Sequence, residues 1–181
     1  MTNRMLKKPW LIMLTLIIAG LAFVGIALGR SFFSPSGSTP PLTKAPDFTL
    51  STLTGGNITL SELKGTPVVL HFWTTVCLNC RSELSYFEDV AQQSEGQIEV
   101  IAIDVGQNLS TVQKFFSYKP TMIVALDENE KTFMNYCLNY NNLERGTPFT
   151  IFVSSEGVVK HVQLGRFGNE TELWDILHSV F

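Results

Sequence analysis

A pair of cysteines directly after a long apolar run constrains this chain more than any other feature. Residues Pro67 to Trp73 (PVVLHFW) form an apolar run interrupted by one histidine, which is typical of a strand buried on both faces of a sheet. After Cys77 the apolar residues recur at helical spacing, at Leu84, Phe87, Val90 and Ala91. The sequence therefore predicts a buried strand that leads at once into a helix, with a Cys-x-x-Cys pair at the junction.

The rest of the chain from residue 45 alternates strand-like and helix-like segments. The predicted strands are 48–53, 58–60, 67–73, 98–103, 121–126, 149–153 and 158–164. The predicted helices begin at Cys77 or cover 109–118, 128–140 and 170–180. This alternation, with a hairpin and a helix at the end, predicts an α/β fold over residues 45–181, with a central mixed β-sheet flanked by helices.

The Cys77/Cys80 pair is suited to thiol-disulfide exchange. The reaction needs a thiolate, and a helix N-terminus supplies unpaired N–H groups and the positive end of the helix dipole. Cys77 is nearest the N-terminus and is predicted to be the attacking nucleophile, while Cys80 is predicted to resolve the mixed disulfide. Half of a zinc site and two inert thiols are the alternatives. Cys137 and the three histidines offer no second pair at zinc-ligand spacing.

The residues around this pair resemble a known family. Residues 68–84 (VVLHFWTTVCLNCRSEL) are similar to the thioredoxin superfamily, and more closely to the membrane-anchored TlpA/ResA-like thiol-disulfide oxidoreductases. The resemblance extends over 45–181, through the opening APDFTL, the ALD at 125–127 and the Gly-Thr-Pro at 146–148. It implies a thioredoxin-like fold whose redox centre is the dithiol itself, with no further cofactor and no metal.

The resemblance also assigns roles to Thr147, Pro148 and Glu83, and the chemistry of an imidazole suggests a role for His71. It implies that Pro148 is a cis-proline and that the Thr147 backbone faces an extended substrate, whereas the alternative is an ordinary proline before a strand. Glu83 matches an acidic residue that assists proton transfer in the family, and it lies three residues after Cys80 on one helix face. A solvated helix glutamate is the alternative. His71, mid-strand, is predicted to shuttle protons or to be an ordinary core histidine.

Two positions depart from the family pattern, and a third cysteine needs an explanation. Val76 stands where the family usually has Trp, and Asn79 stands where many members have Pro. These departures leave the chemistry intact and bear on the direction of electron flow and on the choice of partner. Cys137 lies within a predicted helix, where a small buried hydrophobe is expected and a third redox cysteine is the alternative.

The first 44 residues differ physically from the rest. Residues 10–29 contain no charge and are long enough for a transmembrane helix, and Arg4, Lys7 and Lys8 precede them. By the positive-inside rule, residues 1–9 are predicted to be cytoplasmic and 10–29 to form an uncleaved signal anchor in the lipid bilayer. Residues 30–44 are rich in Ser and Pro and are predicted to be a tether. A cleaved signal peptide is the alternative.

The charge distribution bears on the partners. Residues 45–181 carry eight Lys and Arg against sixteen Asp and Glu, a net charge of −8, which argues against binding nucleic acid. The resemblance and the predicted anchor at 10–29 together favour an enzyme of the cell membrane with its thioredoxin-like domain outside the cytoplasm. Its expected partners are exported proteins with disulfides, apocytochrome c being one candidate, and a membrane thiol-reductase as electron donor. A disulfide-donating oxidase and, less well matched, a Sco-type copper chaperone are the alternatives.

Overall fold

The computed structural model describes residues 43–140 and 146–181, and its framework is a seven-stranded mixed sheet. The strands are β1 (Thr49–Thr52), β2 (Asn57–Thr59), β3 (Val68–Trp73), β4 (Glu99–Val105), β5 (Ile123–Asp127), β6 (Phe149–Val153) and β7 (Val159–Leu164). They lie in the order β2-β1-β5-β4-β3-β6-β7. β3, β4 and β5 are parallel, and the remaining pairs are antiparallel.

Helices cover both faces of this sheet. They are α1 (Leu78–Gln93), α2 (Leu109–Phe115), α3 (Lys131–Tyr140) and α4 (Glu170–Val180), and a short 3₁₀ helix covers Leu60–Leu63. Residues of α1, α2 and α4 share one apolar cluster, which we call the α1 face. Residues of α3 and the 3₁₀ helix share the other, the α3 face. The predicted two-sided arrangement is therefore confirmed.

The central strand β3 divides its side chains between these two faces. All six of its residues are buried, because β4 and β6 flank it and helices cover it above and below. Val69 and Trp73 belong to the α1 face, while Leu70 and Phe72 belong to the α3 face, as the two-residue period of a strand requires. Near the end of β3, Phe72 pairs with Phe149 of the antiparallel β6. The segments that follow β3 and precede β6 therefore meet at one edge of the sheet.

Most predicted segments form the expected elements, and the main difference concerns the second helix. The predicted helix 109–118 ends at Phe115, and Phe116 is already extended, with φ −85° and ψ 119°. The rings of Phe115 and Phe116 pack on Trp73, with centroids 5.1 and 5.7 Å away. The end of α2 thus coincides with the point where these two half-buried rings pack against the α1 face.

The predicted signal anchor at 10–29 and most of the tether at 30–44 lie outside the described residues. Within 43–140 and 146–181, no helix combines the length and the apolarity needed to cross a bilayer.

Candidate active site

Cys77 and Cys80 form a disulfide at the N-terminus of α1. Cys77 is the N-cap residue, and its Sγ accepts a hydrogen bond from the Cys80 N–H at 3.1 Å. Cys77 is half-buried, whereas Cys80 is 0% exposed. An N–H group and the positive end of the helix dipole therefore both favour negative charge on the sulfur that a partner can reach.

The segment before Cys77 is held by a glutamine that the sequence did not single out. The Gln107 Oε1 accepts hydrogen bonds from the Thr75 N–H at 2.8 Å and from the Thr74 hydroxyl at 3.1 Å. Its Nε2 donates to the Thr75 Oγ1 at 2.9 Å. Gln107 thus fixes the turn between β3 and α1 to the end of β4, although no motif in the sequence points to it.

The loop before β6 lies against the disulfide. The Thr147–Pro148 peptide bond is cis, Pro148 is buried and Thr147 is half-buried. The Thr147 carbonyl oxygen lies 3.6 Å from the Cys77 Sγ. The structure therefore brings the Thr147 backbone of this predicted substrate-binding pair to the Cys77 sulfur, and Pro148 follows it directly in the chain.

The rim around Cys77 is apolar. Val76 and Leu78 are 78% and 76% exposed, so the position where the family usually has Trp presents an aliphatic side chain to solvent. One turn further along α1, the Arg81 guanidinium carbon lies 5.6 Å from the centroid of the Phe115 ring. A partner that reaches Cys77 therefore meets the exposed aliphatic side chains of its two sequence neighbours.

Glu83 is buried on the same side of α1 as Cys80. Only 1% of it is exposed, which excludes the alternative of a solvated helix glutamate. Its Oε2 accepts a hydrogen bond from the Phe167 N–H at 2.8 Å. Burial raises the pKa of Glu83 to about 7, against the opposing effects of that N–H and of the Arg166 charge. The carboxyl group can therefore gain or lose a proton near neutral pH.

His71 lies between β6 and Glu83, fully buried. Its ring stacks on Phe87 of α1 with centroids 4.1 Å apart, and its Nδ1 lies 3.0 Å from the Thr150 Oγ1. Its Nε2 lies 3.8 Å from the Glu83 Oε1. Burial lowers the pKa of His71 to about 3, so its imidazole is uncharged near neutral pH.

Asp104 is a buried carboxyl group that the sequence analysis missed. It stands beside Trp73 in the β3–β4 register and is 0% exposed. Burial raises its pKa to about 7, against a smaller opposing effect of the Gln107 N–H. Neither carboxyl oxygen has a partner at full hydrogen-bond geometry within the described residues. The sequence feature that points to Asp104 is its charge within the otherwise apolar run Ile101 to Val105 (IAIDV).

Cys137 lies away from these groups. It is buried within the α3 face, on the other side of the sheet from Cys80, as expected of a small buried hydrophobe. Within the described residues, no three or more His, Cys, Asp or Glu side chains are grouped to hold a metal ion.

Known proteins are similar to this chain over most of its length. The sequence pattern of the AhpC/TSA family matches residues 41–162. Thiol-disulfide oxidoreductase ResA of Bacillus subtilis is 31% identical over 176 residues, which cover 96% of this chain and 94% of ResA. The ResA of Geobacillus kaustophilus is 29% identical over 92% of this chain and 94% of that protein.

A solved structure supports the fold. A thiol:disulfide interchange protein of the thioredoxin family from Chlorobium tepidum superposes with a TM-score of 0.65 at 22% identity, covering 78% of this chain and 97% of that one. The chain therefore belongs to the AhpC/TSA family, and it is a ResA-like thiol-disulfide oxidoreductase with a thioredoxin-like fold.

Proposed function

We propose that this chain is a membrane-tethered thiol-disulfide reductase that acts on exported proteins through Cys77 and Cys80. The observation that carries the proposal is the Cys77–Cys80 disulfide at the N-terminus of α1, with one accessible and one buried sulfur. The dithiol is itself the redox centre, and the proposed chemistry uses no other cofactor.

In the first step, the reduced enzyme attacks its substrate. The Cys77 thiolate forms a bond to one sulfur of the substrate disulfide, and the other substrate sulfur leaves as a thiolate that takes up a proton from solvent. The Cys80 N–H stabilises the attacking thiolate. An extended substrate segment would lie along the loop that contains Thr147 and Pro148, because this loop lies against the Cys77 sulfur.

In the second step, Cys80 releases the product. Its thiol loses a proton, its sulfur bonds to the Cys77 Sγ, and the second substrate thiolate leaves. Two electrons have then passed to the substrate, and the enzyme holds a disulfide. We assign Glu83 as the base for this step, because it is buried one turn after Cys80 and titrates near neutral pH. Gln107 would keep the Cys77 turn in place throughout the cycle.

We infer the location of the chain from its N-terminal segment, and the proposed partners depend on that location. The uncharged residues 10–29 would anchor the chain in the cell membrane, with 1–9 in the cytoplasm and the thioredoxin-like domain outside it. Regeneration of the dithiol then needs a membrane thiol-reductase on the same side. Exported proteins with oxidised cysteine pairs, among them apocytochrome c, are the proposed substrates.

The reductive direction is favoured by the surroundings of the dithiol. A strong oxidant needs a reduced form that is stabilised as a thiolate. Two carboxyl groups, Glu83 and Asp104, are buried on the α1 face, the face to which Cys80 belongs, and their negative charge above neutral pH disfavours a thiolate. We therefore expect a potential closer to that of thioredoxin than to that of a strong oxidant.

The test is the reduction potential of the full chain in detergent, equilibrated with thiol buffers, with alkylated Cys77 and Cys80 quantified by mass spectrometry. A value near about −270 mV supports the reductase, whereas a value near about −120 mV would assign the chain as a disulfide donor. Retention of copper or zinc by a reduced pair that forms no disulfide would instead favour the copper chaperone.

A further inference from the structure

A row of buried polar groups joins the substrate-side strand β6 to helix α1. It runs from Thr150, two residues after Pro148, through His71 on β3 to Glu83 on α1, and it ends at the Phe167 N–H. His71 is 0% exposed and Glu83 is 1% exposed. A buried polar atom without a hydrogen bond costs free energy, so we expect the protons in this row to lie where they complete hydrogen bonds.

Two atoms of the row face each other without a bond. The His71 Nε2 and the Glu83 Oε1 lie 3.8 Å apart, and neither has a hydrogen-bond partner among the described residues. A shift of about 0.8 Å would bring them to ordinary hydrogen-bond length. The other Glu83 oxygen already accepts the Phe167 N–H, and the His71 Nδ1 already pairs with Thr150. A hydrogen bond between the His71 Nε2 and the Glu83 Oε1 would therefore connect the row from end to end.

The protonation of Glu83 and the tautomer of His71 determine which of these two atoms donates this hydrogen bond. If Glu83 carries a proton on Oε1, that O–H donates to Nε2, which must then be the unprotonated nitrogen of the imidazole. The imidazole proton is then on Nδ1 and donates to the Thr150 Oγ1. The opposite tautomer, with a proton on Nε2, would instead donate to an ionised Glu83 and accept from the Thr150 hydroxyl.

The titratable groups around Glu83 lie on β3, on α4 and in the segment before α4. His71 on β3 is uncharged, Arg166 before α4 favours the carboxylate, and Glu172 on α4 disfavours it. On α1 itself, Cys80 is bound in the disulfide of the oxidised state. The effect of burial on the Glu83 pKa outweighs that of the Arg166 charge. Burial therefore favours the protonated carboxyl and with it the Nδ1–H tautomer of His71.

We propose that His71 is a positioning residue, a neutral imidazole with its proton on Nδ1 that accepts the Glu83 carboxyl hydrogen at Nε2. It therefore stabilises protonated Glu83 and determines the pH above which this carboxyl becomes a base for Cys80. The inference rests on the proposed function in that Glu83 acts on the Cys80 proton. It departs from the predicted shuttle role, because His71 stays uncharged and acts through Glu83.

The first test is the tautomer of His71 in the oxidised full chain, labelled with ¹⁵N-histidine and measured by long-range ¹H–¹⁵N NMR. His71→Asn identifies its signals against those of His161 and His178. We expect an Nδ1–H pattern at pH 5 to 6 and no imidazolium between pH 5 and 8. An Nε2–H pattern at pH 5, or an imidazolium that titrates near neutral pH, would overturn the proposal.

The second test changes the partner of Nδ1 rather than the histidine. Thr150→Val removes the hydroxyl partner of Nδ1 at nearly constant volume. We expect a buried N–H without an acceptor to cost more than a ring nitrogen without a donor, so the variant favours the Nε2–H tautomer and with it the Glu83 carboxylate. We expect the Glu83 titration midpoint, followed by carboxyl ¹³C NMR, to move to lower pH by about one unit, a tenfold change in proton affinity. Thr150→Ser keeps the hydroxyl and should keep the midpoint. Equal midpoints in the Val and Ser variants contradict the proposal.

A kinetic measurement separates this inference from the proposed function. The rate at which Cys80 resolves a mixed disulfide on Cys77 should rise with pH around the Glu83 midpoint, and this rise should shift with the midpoint in Thr150→Val. If the NMR results are as expected but the rate ignores the midpoint, the His71–Glu83 assignment stands and the proton-transfer role of Glu83 fails. If the tautomer is wrong but disulfide reduction proceeds, the proposed function stands and this inference fails.

Discussion

The two faces of the sheet each bury a cysteine, but in contrasting surroundings. On the α1 face, Cys80 lies in the first turn of a helix, and His71, Glu83 and Asp104 are buried on the same face. On the α3 face, Cys137 belongs to a cluster with aromatic rings around Phe72. These rings come from Phe133, Tyr136 and Phe149, with centroids 5.3 to 5.8 Å from that of Phe72.

This difference shows that burial of a cysteine does not by itself determine its redox reactivity. Cys80 and Cys137 are both 0% exposed, so burial alone does not select the redox cysteine. Position at a helix N-terminus and titratable neighbours do, because they control where protons and negative charge reside. Both faces supply apolar burial, which stabilises the domain, whereas the burial of Glu83 and Asp104 on the α1 face costs free energy.

The largest expected effect is on turnover, and it comes from substituting one of the two buried cysteines but not the other. Cys80→Ala should reduce steady-state reduction of a peptide disulfide by at least about 10³-fold, because the mixed disulfide on Cys77 cannot be resolved. Cys137→Ala should stay within about twofold of the wild type, since this thiol lies on the other face. Turnover assays and mass spectrometry of the trapped adduct measure both. Comparable losses in the two variants would contradict the division between the faces.

Two aromatic truncations sharpen the comparison. Phe72→Ala on the α3 face and Phe87→Ala on the α1 face should each lower the free energy of unfolding by about 3–5 kcal/mol, measured by urea denaturation. Only Phe87 stacks on His71, so only its truncation should move the Glu83 titration followed by ¹³C NMR. A shifted Glu83 midpoint in folded Phe72→Ala would mean that the faces are electrostatically coupled through the sheet.

Glu88 is a buried carboxylate of the α1 face that has full partners. Burial alone would raise its pKa, but hydrogen bonds from the Thr121 and Met122 N–H groups and from Gln92 outweigh this and lower it. A lowered pKa stabilises the fold above the unfolded value, and this contribution disappears as pH falls through the folded value. Glu88→Gln should therefore lose about 1–2 kcal/mol at pH 7 and progressively less toward pH 3.

The matched control for that prediction is Asp89→Asn, which removes one negative charge at the next position of α1. Thermal unfolding across pH 3 to 8 measures both variants. Equal losses in the two variants would show that overall charge, rather than the bonds to the residue 121–122 backbone, accounts for the effect.

The redox pair was predictable from the sequence because its signal is local. A buried strand followed by Cys-x-x-Cys and helical spacing fixes where Cys77 and Cys80 lie. The burial of Glu83 was also implicit, since positions 80, 83, 84 and 87 share one face of a helix. Its partner was not, because the Phe167 N–H arrives from 84 residues further along the chain.

The residues that sequence analysis missed depend on contacts between distant segments. Gln107 and Thr150 matter because strand pairing brings the ends of β4 and β6 beside β3, and neither residue type marks such a role by itself. Asp104 left a signal in the sequence, a charge within an apolar run. It was overlooked because the strand was predicted to end at residue 103, whereas β4 continues to Val105.

The smallest effect expected distinguishes two buried carboxyl groups on opposite faces. Burial raises the pKa of Asp104 from 3.8 to about 7, so its folded state holds a proton more tightly than its unfolded state. Stability therefore falls as pH rises from about 4 to about 7, because the unfolded state ionises first. Asp104→Asn should remove this loss and stabilise the protein at pH 8 by about 1 kcal/mol, after allowance for solvent screening, with little change at pH 4.

On the α3 face, the Asp127 Oδ2 accepts the Phe133 N–H at the start of α3 at 2.7 Å, so Asp127→Ala should destabilise by about 1 kcal/mol. Thermal unfolding at both pH values measures the pair, and destabilisation by Asp104→Asn at pH 8 would mean that this carboxylate has a partner that its geometry in the oxidised state does not reveal.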